Sequence, residues 1–162
     1  MSTTTSSSSI APTVDWQRAS FDQLSNQDVY AVLAARQHVF ILEQQCFYND
    51  FDGLDPAAHH VLGWANVDGQ RQLVAYLRVL APGAKYTEAS IGRVLTSAAG
   101  RGGGIGRQLL EQGLAYVDSL YPAAPIKIGA QQYLERFYAS FGFVTISAPY
   151  DEDGILHVDM RR

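Results

Sequence analysis

Apolar residues first fall into a regular pattern at position 29. Val29, Val32, Leu33 and Phe40 stand at i, i+3, i+4 and i+11, with Arg36 in the i+7 place, and Ser25 and Asp28 precede them in capping-box spacing. A first helix is therefore predicted over about 26–42. The polar stretch from Glu43 to Pro56 follows as a loop. His60 to Val67 and Leu73 to Leu80 are rich in strand formers and are separated by Asp68-Gly69, which predicts a hairpin. Ser90 to Ser97 is a further strand pattern that ends directly in Gly100-Arg101-Gly102-Gly103-Gly104-Ile105-Gly106. Beyond the glycines, Gly106, Leu109, Leu110, Gly113, Leu114, Val117 and Tyr121 keep a 3.6-residue period until Pro122 stops it, so a helix of about four turns starts inside the loop. Ile126 to Ala130 is a short strand pattern. Leu134, Phe137, Tyr138 and Phe141 mark one face of a short helix ending at Gly142, and two closing strands are expected around 143–147 and 156–160. This order describes a mixed α/β domain over residues 15–162 without an internal repeat. Residues 1–14, rich in Ser and Thr, read as a disordered tail.

Composition narrows the class. A chain of 162 residues is one domain in size, and with 47% hydrophobic and 17% charged residues it can bury a core, so whole-chain disorder and collagen-like fibre are excluded. The formal net charge of -4 argues against a nucleic-acid or anionic-membrane binder held by a general positive field. Apolar segments stay far short of the roughly 20 residues of a spanning helix, and Met1 to Thr13 lacks the basic and hydrophobic regions of a secretory signal. Cys46, the single cysteine, excludes an internal disulfide framework. A cytoplasmic protein is expected.

Charge is unevenly placed. Between Glu88 and Glu111 lie Arg93, Arg101 and Arg107 with no acid, whereas between Gln37 and Gln70 lie Glu43, Asp50, Asp52, Asp55 and Asp68 with no Lys or Arg. Flanking one cleft, the first segment would meet an anionic cofactor and the second a cationic acceptor. A strand feeding a glycine-rich turn that opens a helix suits an anion, because unpaired N–H groups and the positive end of the helix dipole converge there. Two familiar anion loops fail on spacing. A dinucleotide fingerprint needs a glycine where Leu109 or Arg107 stands, and a P-loop needs a Gly-Lys pair that occurs nowhere in the chain.

Arg101-x-x-Gly104-x-Gly106 after the strand Ile91 to Thr96 resembles the pyrophosphate-binding motif of the GNAT acyl-CoA N-acyltransferase superfamily, and Tyr138-x-x-x-Gly142-Phe143 is similar to its second cofactor motif. Arg36-x-x-Val39-Phe40, Glu43-Gln44, Cys46, Asp52-Gly53-Leu54-Asp55, Ile91-Gly92-Arg93-Val94, Ala130-Gln131 and Glu152-Asp153-Gly154-Ile155-x-His157 together look like the ElaA-like branch. The resemblance covers about residues 15–162. It implies a mostly antiparallel central sheet flanked by helices, acetyl-CoA as co-substrate, and transfer of its acetyl group to a primary amine of a small molecule or peptide by direct attack in a ternary complex. It implies backbone contacts to the pyrophosphate from Gly102, Gly103, Gly104, Ile105, Gly106 and Arg107 beside Arg101. Val94, Leu95 and Thr96 would follow the pantetheine arm, with N–H groups near Leu95 polarising the thioester carbonyl. Gln131 would hold the pantetheine, and Tyr138 would protonate the departing thiolate.

Each of these positions also has a plain structural reading. Tyr138 lies on a stripe that periodicity alone assigns to the core, and Arg93 would serve equally as an ion-pair partner. Cys46 reads as a small packing residue, not a nucleophile. The acidic segment reads either as a solvated loop or as a recognition loop for a protonated amine. The amine's proton needs a base, and the candidates are Glu43, His59, His60, Asp153 and His157, with Glu43 the first choice. His59 and His60 point to opposite faces of a strand, so at most one faces a cleft. No metal is expected, since His59-His60 lacks helical ligand spacing. No nucleic acid or membrane partner is expected, and a homodimer is compatible with a sequence that does not itself encode an oligomeric state. The alternative from another class is an acyl-CoA-binding sensor or interaction module without transfer.

Overall fold

The computed structural model describes residues 12–162, so most of the expected tail lies outside the described residues. Of its last residues, Val14 packs against the main apolar cluster. The chain forms β1 (Asp15–Ser20), α1 (Asn26–Arg36), β2 (His59–Val67), β3 (Gln70–Leu80), β4 (Ser90–Thr96), α2 (Ile105–Leu120), β5 (Lys127–Gln131), α3 (Glu135–Ala139), β6 (Val144–Thr145), β7 (Tyr150–Glu152) and β8 (Ile155–Arg161). Antiparallel pairing arranges β1-β2-β3-β4 in one four-stranded sheet, while β8 pairs with β5, β6 and β7 in a second. This is the expected mixed, mostly antiparallel α/β architecture.

Local chemistry explains most boundaries. Ser25 caps α1, its hydroxyl accepting from Asp28 N–H at 3.0 Å while Asp28 returns a carboxylate oxygen to Ser25 N–H at 3.2 Å. The β2–β3 turn places Asp68 at φ 51° and Gly69 at φ 80°, the two left-handed positions of a tight hairpin. β3 is buried without interruption from Val74 to Leu80 because helices cover both faces. Ala75, Leu77 and Val79 pack with Leu109, Leu110, Leu114 and Val117 of α2, while Tyr76 joins Val32, Phe40, Leu62 and Trp64 on the α1 side. Gly113 lets α2 approach closely, since a Cβ there would stand 2.7 Å from Leu77 Cδ2.

Three features depart from the sequence pattern. After Arg36 the first helix continues as a π-helical segment, Gln37–Glu43, closed by Gln44 N–H donating to the Val39 carbonyl at 3.1 Å. β1 was not predicted, because Asp-Trp-Gln-Arg-Ala-Ser shows no alternation; it is an edge strand, with Gln17 accepting from Trp64 Nε1 at 2.9 Å. β7 was not predicted either, since three residues before a turn carry no period.

β4 and β5 meet as parallel neighbours only at Ala89↔Ile126, among the described residues. Ala89 N–H donates to the Pro125 carbonyl and Lys127 N–H to the Ala89 carbonyl, at 3.1 and 2.9 Å, and then the strands part. The opening between their carboxyl ends holds the candidate site.

Candidate active site

A cleft of about 320 Å³ lies in that opening, walled by Val94 of β4, Gln131 of β5, Tyr138 of α3, Gln44 and the β7–β8 hairpin. Its β4 wall is irregular. Tyr76 faces Leu95 and Arg78 faces Gly92, so Arg93 and Val94 together oppose Leu77 alone, and Arg93 takes φ 52°. A non-glycine residue in the left-handed region is strained by about 1 kcal/mol or more, and surrounding contacts must hold it. They do: Arg93 Nε donates to Asp50 Oδ1 at 2.7 Å, and its other end reaches Asp52 at 3.3 Å.

That contact belongs to a larger ion network. Arg36 bonds Asp50 at 2.9 Å and Asp55 at 2.7 Å, and Arg78 bonds Asp52 and, at 3.0 Å, Asp55. Arg36 and Arg78 are 0% and 1% exposed. The Arg78 bonds hold the Asp52 carboxyl well below the ordinary carboxylate range. Burial pushes Asp55 the other way, but Arg36 and Arg78 outweigh it and its net shift is also downward.

Beyond β4, the 16-residue helix α2 is preceded by its cap residue Gly104, whose φ of 76° only glycine takes easily. Its first bond runs from Gln108 N–H to the Gly104 carbonyl at 3.1 Å, leaving the N–H groups of Ile105, Gly106 and Arg107 without intrahelical acceptors. A Cβ built on Gly102 or Gly104 would meet no atom within 4 Å, and one on Gly106 only Thr96 Cγ2, at 3.9 Å. The loop is an open cradle of donors beside the end of β4, a fit for the phosphates of a coenzyme.

Residues 20–162 match the family described as acetyltransferase (GNAT) domain. The chain belongs to the GNAT acetyltransferase family, in its ElaA-like branch. It is 40% identical to protein ElaA of Escherichia coli over 151 residues, covering 92% of this chain and 96% of that protein. A UPF0039 protein of Synechocystis is 42% identical over 147 residues, with 91% and 94% covered. Among solved structures, an acyl-CoA N-acyltransferase from Pseudomonas aeruginosa matches with TM-score 0.85 at 40% identity, covering 93% of this chain and 99% of that one.

Within this GNAT domain the expected residues are distributed unevenly. Val94, Gln131 and Tyr138 line the cleft. Leu95 does not; its side chain is 3% exposed and packs with Tyr76 in the α1-side cluster, leaving only its backbone available to the bulge. Gln131 Nε2 donates to Gln44 Oε1 at 3.2 Å, tying the cleft to the π-helical segment. Tyr138 is 6% exposed, and burial, followed by the nearby Tyr133, pushes its phenol above the usual range, so the hydroxyl keeps its proton.

The arginine segment proves less basic than its sequence suggests. Arg101 donates to Glu43 at 2.6 Å and to the Thr96 carbonyl at 3.0 Å, Arg93 is held by Asp50 and Asp52, and Arg107 packs over the Phe141 ring at 4.4 Å. The acids come from elsewhere in the chain. The acidic segment is likewise consumed internally, since Asp50, Asp52 and Asp55 neutralise arginines, and it is not a free recognition loop for a cation. Glu43 lies outside the cleft lining, bonded to Arg101 and 3.4 Å from His38. His60 is buried with Nδ1 2.7 Å from the Tyr76 hydroxyl and Nε2 3.1 Å from the Asp55 carbonyl, and burial lowers its proton affinity. His59 sets its ring edge-on to Tyr116 of α2. Cys46 donates its thiol to the Asp153 carbonyl at 3.4 Å, and burial with the charges of Asp153 and Asp151 raises its pKa, which fits packing, not nucleophilic attack. Among the described residues no group of three or more His, Cys, Asp or Glu side chains could hold a metal, and no helix is long and apolar enough to cross a membrane.

Proposed function

We propose that this protein transfers the acetyl group of acetyl-CoA to a primary amine by direct attack within a ternary complex. The observation that carries the reading is the cleft between β4 and β5, with Tyr138 in its wall and the α2 N-terminus beyond the end of β4. The N–H groups of Gly102 to Arg107 would receive the pyrophosphate, with Arg101 bracing the loop against Thr96 and Glu43. Val94, Leu95 and Thr96 would follow the pantetheine, with Gln131 opposite. The bulge, where Arg93 and Val94 face one residue of β3, would free backbone N–H groups from the ladder for a developing oxyanion.

The amine nitrogen attacks the thioester carbonyl, the carbon–sulfur bond breaks, and the thiolate takes the Tyr138 proton. Burial keeps the phenol protonated as a donor while making it a weaker acid than a free tyrosine. Glu152 and Asp153 line the cleft and would supply negative charge toward a cationic acceptor. Coenzyme A release measured across a panel of amines tests the reading. Tyr138→Phe is expected to lower kcat by about 100-fold or more while leaving the acetyl-CoA Kd within about twofold, and full turnover in that variant would remove Tyr138 from the mechanism.

A further inference from the structure

Direct attack requires an unprotonated amine, so some group must take a proton from the ammonium. Of the titratable side chains around the cleft, Asp52, Arg78 and Arg93 are locked in the ion network, Tyr48 donates to Asp50, Lys85 packs over Tyr86, the Cys46 thiol is bonded to the Asp153 carbonyl, Tyr133 offers only an exposed hydroxyl, and Tyr138 is assigned to the thiolate. Glu152, Asp153 and His157 of the β7–β8 hairpin remain.

We propose that His157 Nε2 is the atom that accepts the acceptor's proton, a role that rests on the acyl-transfer reading. His157 lies directly across the β5–β8 ladder from Gln131 and across the β7–β8 ladder from Tyr150, which places it in the wall that contains Tyr138. Its Nδ1 is 2.8 Å from the Ile155 carbonyl oxygen. A carbonyl oxygen can only accept, so Nδ1 carries the hydrogen, and in the neutral ring Nε2 is left with a lone pair. Nε2 stands 3.4 Å from Glu152 Oε2, so a proton arriving there has a carboxylate beside it. The ring is fixed by stacking on Tyr150 at 6.0 Å and 24°, and the Tyr150 hydroxyl is already committed to Asp159 Oδ1 at 2.7 Å. The His157 side chain is 12% exposed, sheltered but with a path to water. His60, in contrast, uses both nitrogens inside the core.

The protons balance. The ammonium gives one to His157 Nε2, and the amine attacks the thioester to form a tetrahedral intermediate with negative oxygen and positive nitrogen. Collapse expels the thiolate, which takes the Tyr138 proton; the nitrogen returns its second proton to the Tyr138 phenolate, leaving a neutral amide. His157 releases its proton to solvent, the one proton the overall reaction sets free.

His157→Asn keeps a donor at the Nδ1 position and removes Nε2. With an amine substrate identified on the parent protein, this variant is expected to lose about 100-fold or more in kcat near neutral pH, with acetyl-CoA Kd within about twofold. Its residual rate should climb about tenfold per pH unit as more amine arrives already deprotonated, a recovery that a merely structural residue would not give. Long-range nitrogen–proton NMR of the parent should show the Nδ1–H form of His157. An His157→Asn variant within threefold of the parent, or an Nε2–H form in the parent, overturns the assignment; a parent that binds acetyl-CoA and acetylates no amine overturns the acyl-transfer reading itself, and the role of His157 with it.

Discussion

Arg36 occupies one place in an otherwise apolar helical stripe and is fully buried, which is costly unless every charge nearby is met. Asp50 and Asp55 meet it, and Asp50 is shared with Arg93. Arg36→Ala is therefore expected to reduce unfolding free energy by about 3–5 kcal/mol, since it strands carboxylates without a partner. A change below about 1 kcal/mol in urea denaturation would show that the network is not load-sharing. The position of Arg36 was legible in the periodicity, but its partners were not. They lie 14 and 19 residues away in an irregular segment, where nothing in a sequence of acids distinguishes a solvated loop from one folded onto arginines. The same limit applies to Glu43, whose carboxylate meets an arginine 58 residues away. His157 was visible as a candidate, yet only its carbonyl and carboxylate neighbours select it.

The strand–loop–helix element was readable because glycine spacing and helical period are local properties. Its individual glycines nevertheless differ. Gly104→Ala should destabilise by about 1–2 kcal/mol because of its positive φ, while Gly106, at a helical φ with room around it, should tolerate alanine with no loss or a gain of up to about 1 kcal/mol. Equal thermal-unfolding shifts for the two variants would contradict this distinction. The β4 bulge and the π-helical segment were illegible for a common reason. Each inserts or shifts backbone without changing residue type, and each is fixed by contacts from remote segments: Arg93 by Asp50 and Asp52, and the π-helical end through Gln44 to Gln131. β1 and β7 escaped notice because an edge strand and a three-residue strand are defined by their partners, Trp64 and His157 among them, more than by their own pattern.

At the scale of the whole molecule, the shifted groups act together on stability. Asp52 and Asp55 have folded values below their ordinary ones, so their ionised forms favour folding above about pH 4 and that contribution is lost as pH falls through the folded values. His60 is also shifted down, so the unfolded chain takes up its proton first, from about pH 6.5 downward, and stability begins to decline there. Unfolding free energy measured in urea from pH 8 to pH 3 should thus be level above about pH 7 and fall in two stages, near pH 6 and below about pH 4. A flat profile across that range would contradict the assigned directions.

The meeting of β4 and β5 at Ala89 and Ile126 has a consequence for motion. Because the two sheets share, among the described residues, one bridge pair and a continuous apolar cluster, the far end of the cleft can widen without breaking any ladder bond, held by side-chain packing and the Gln131–Gln44 and Cys46–Asp153 hydrogen bonds. Amide hydrogen exchange should therefore be slow in β2 and β3, fast at Val94 and Gln131, and slowed at both of those edges together once a ligand bridges them.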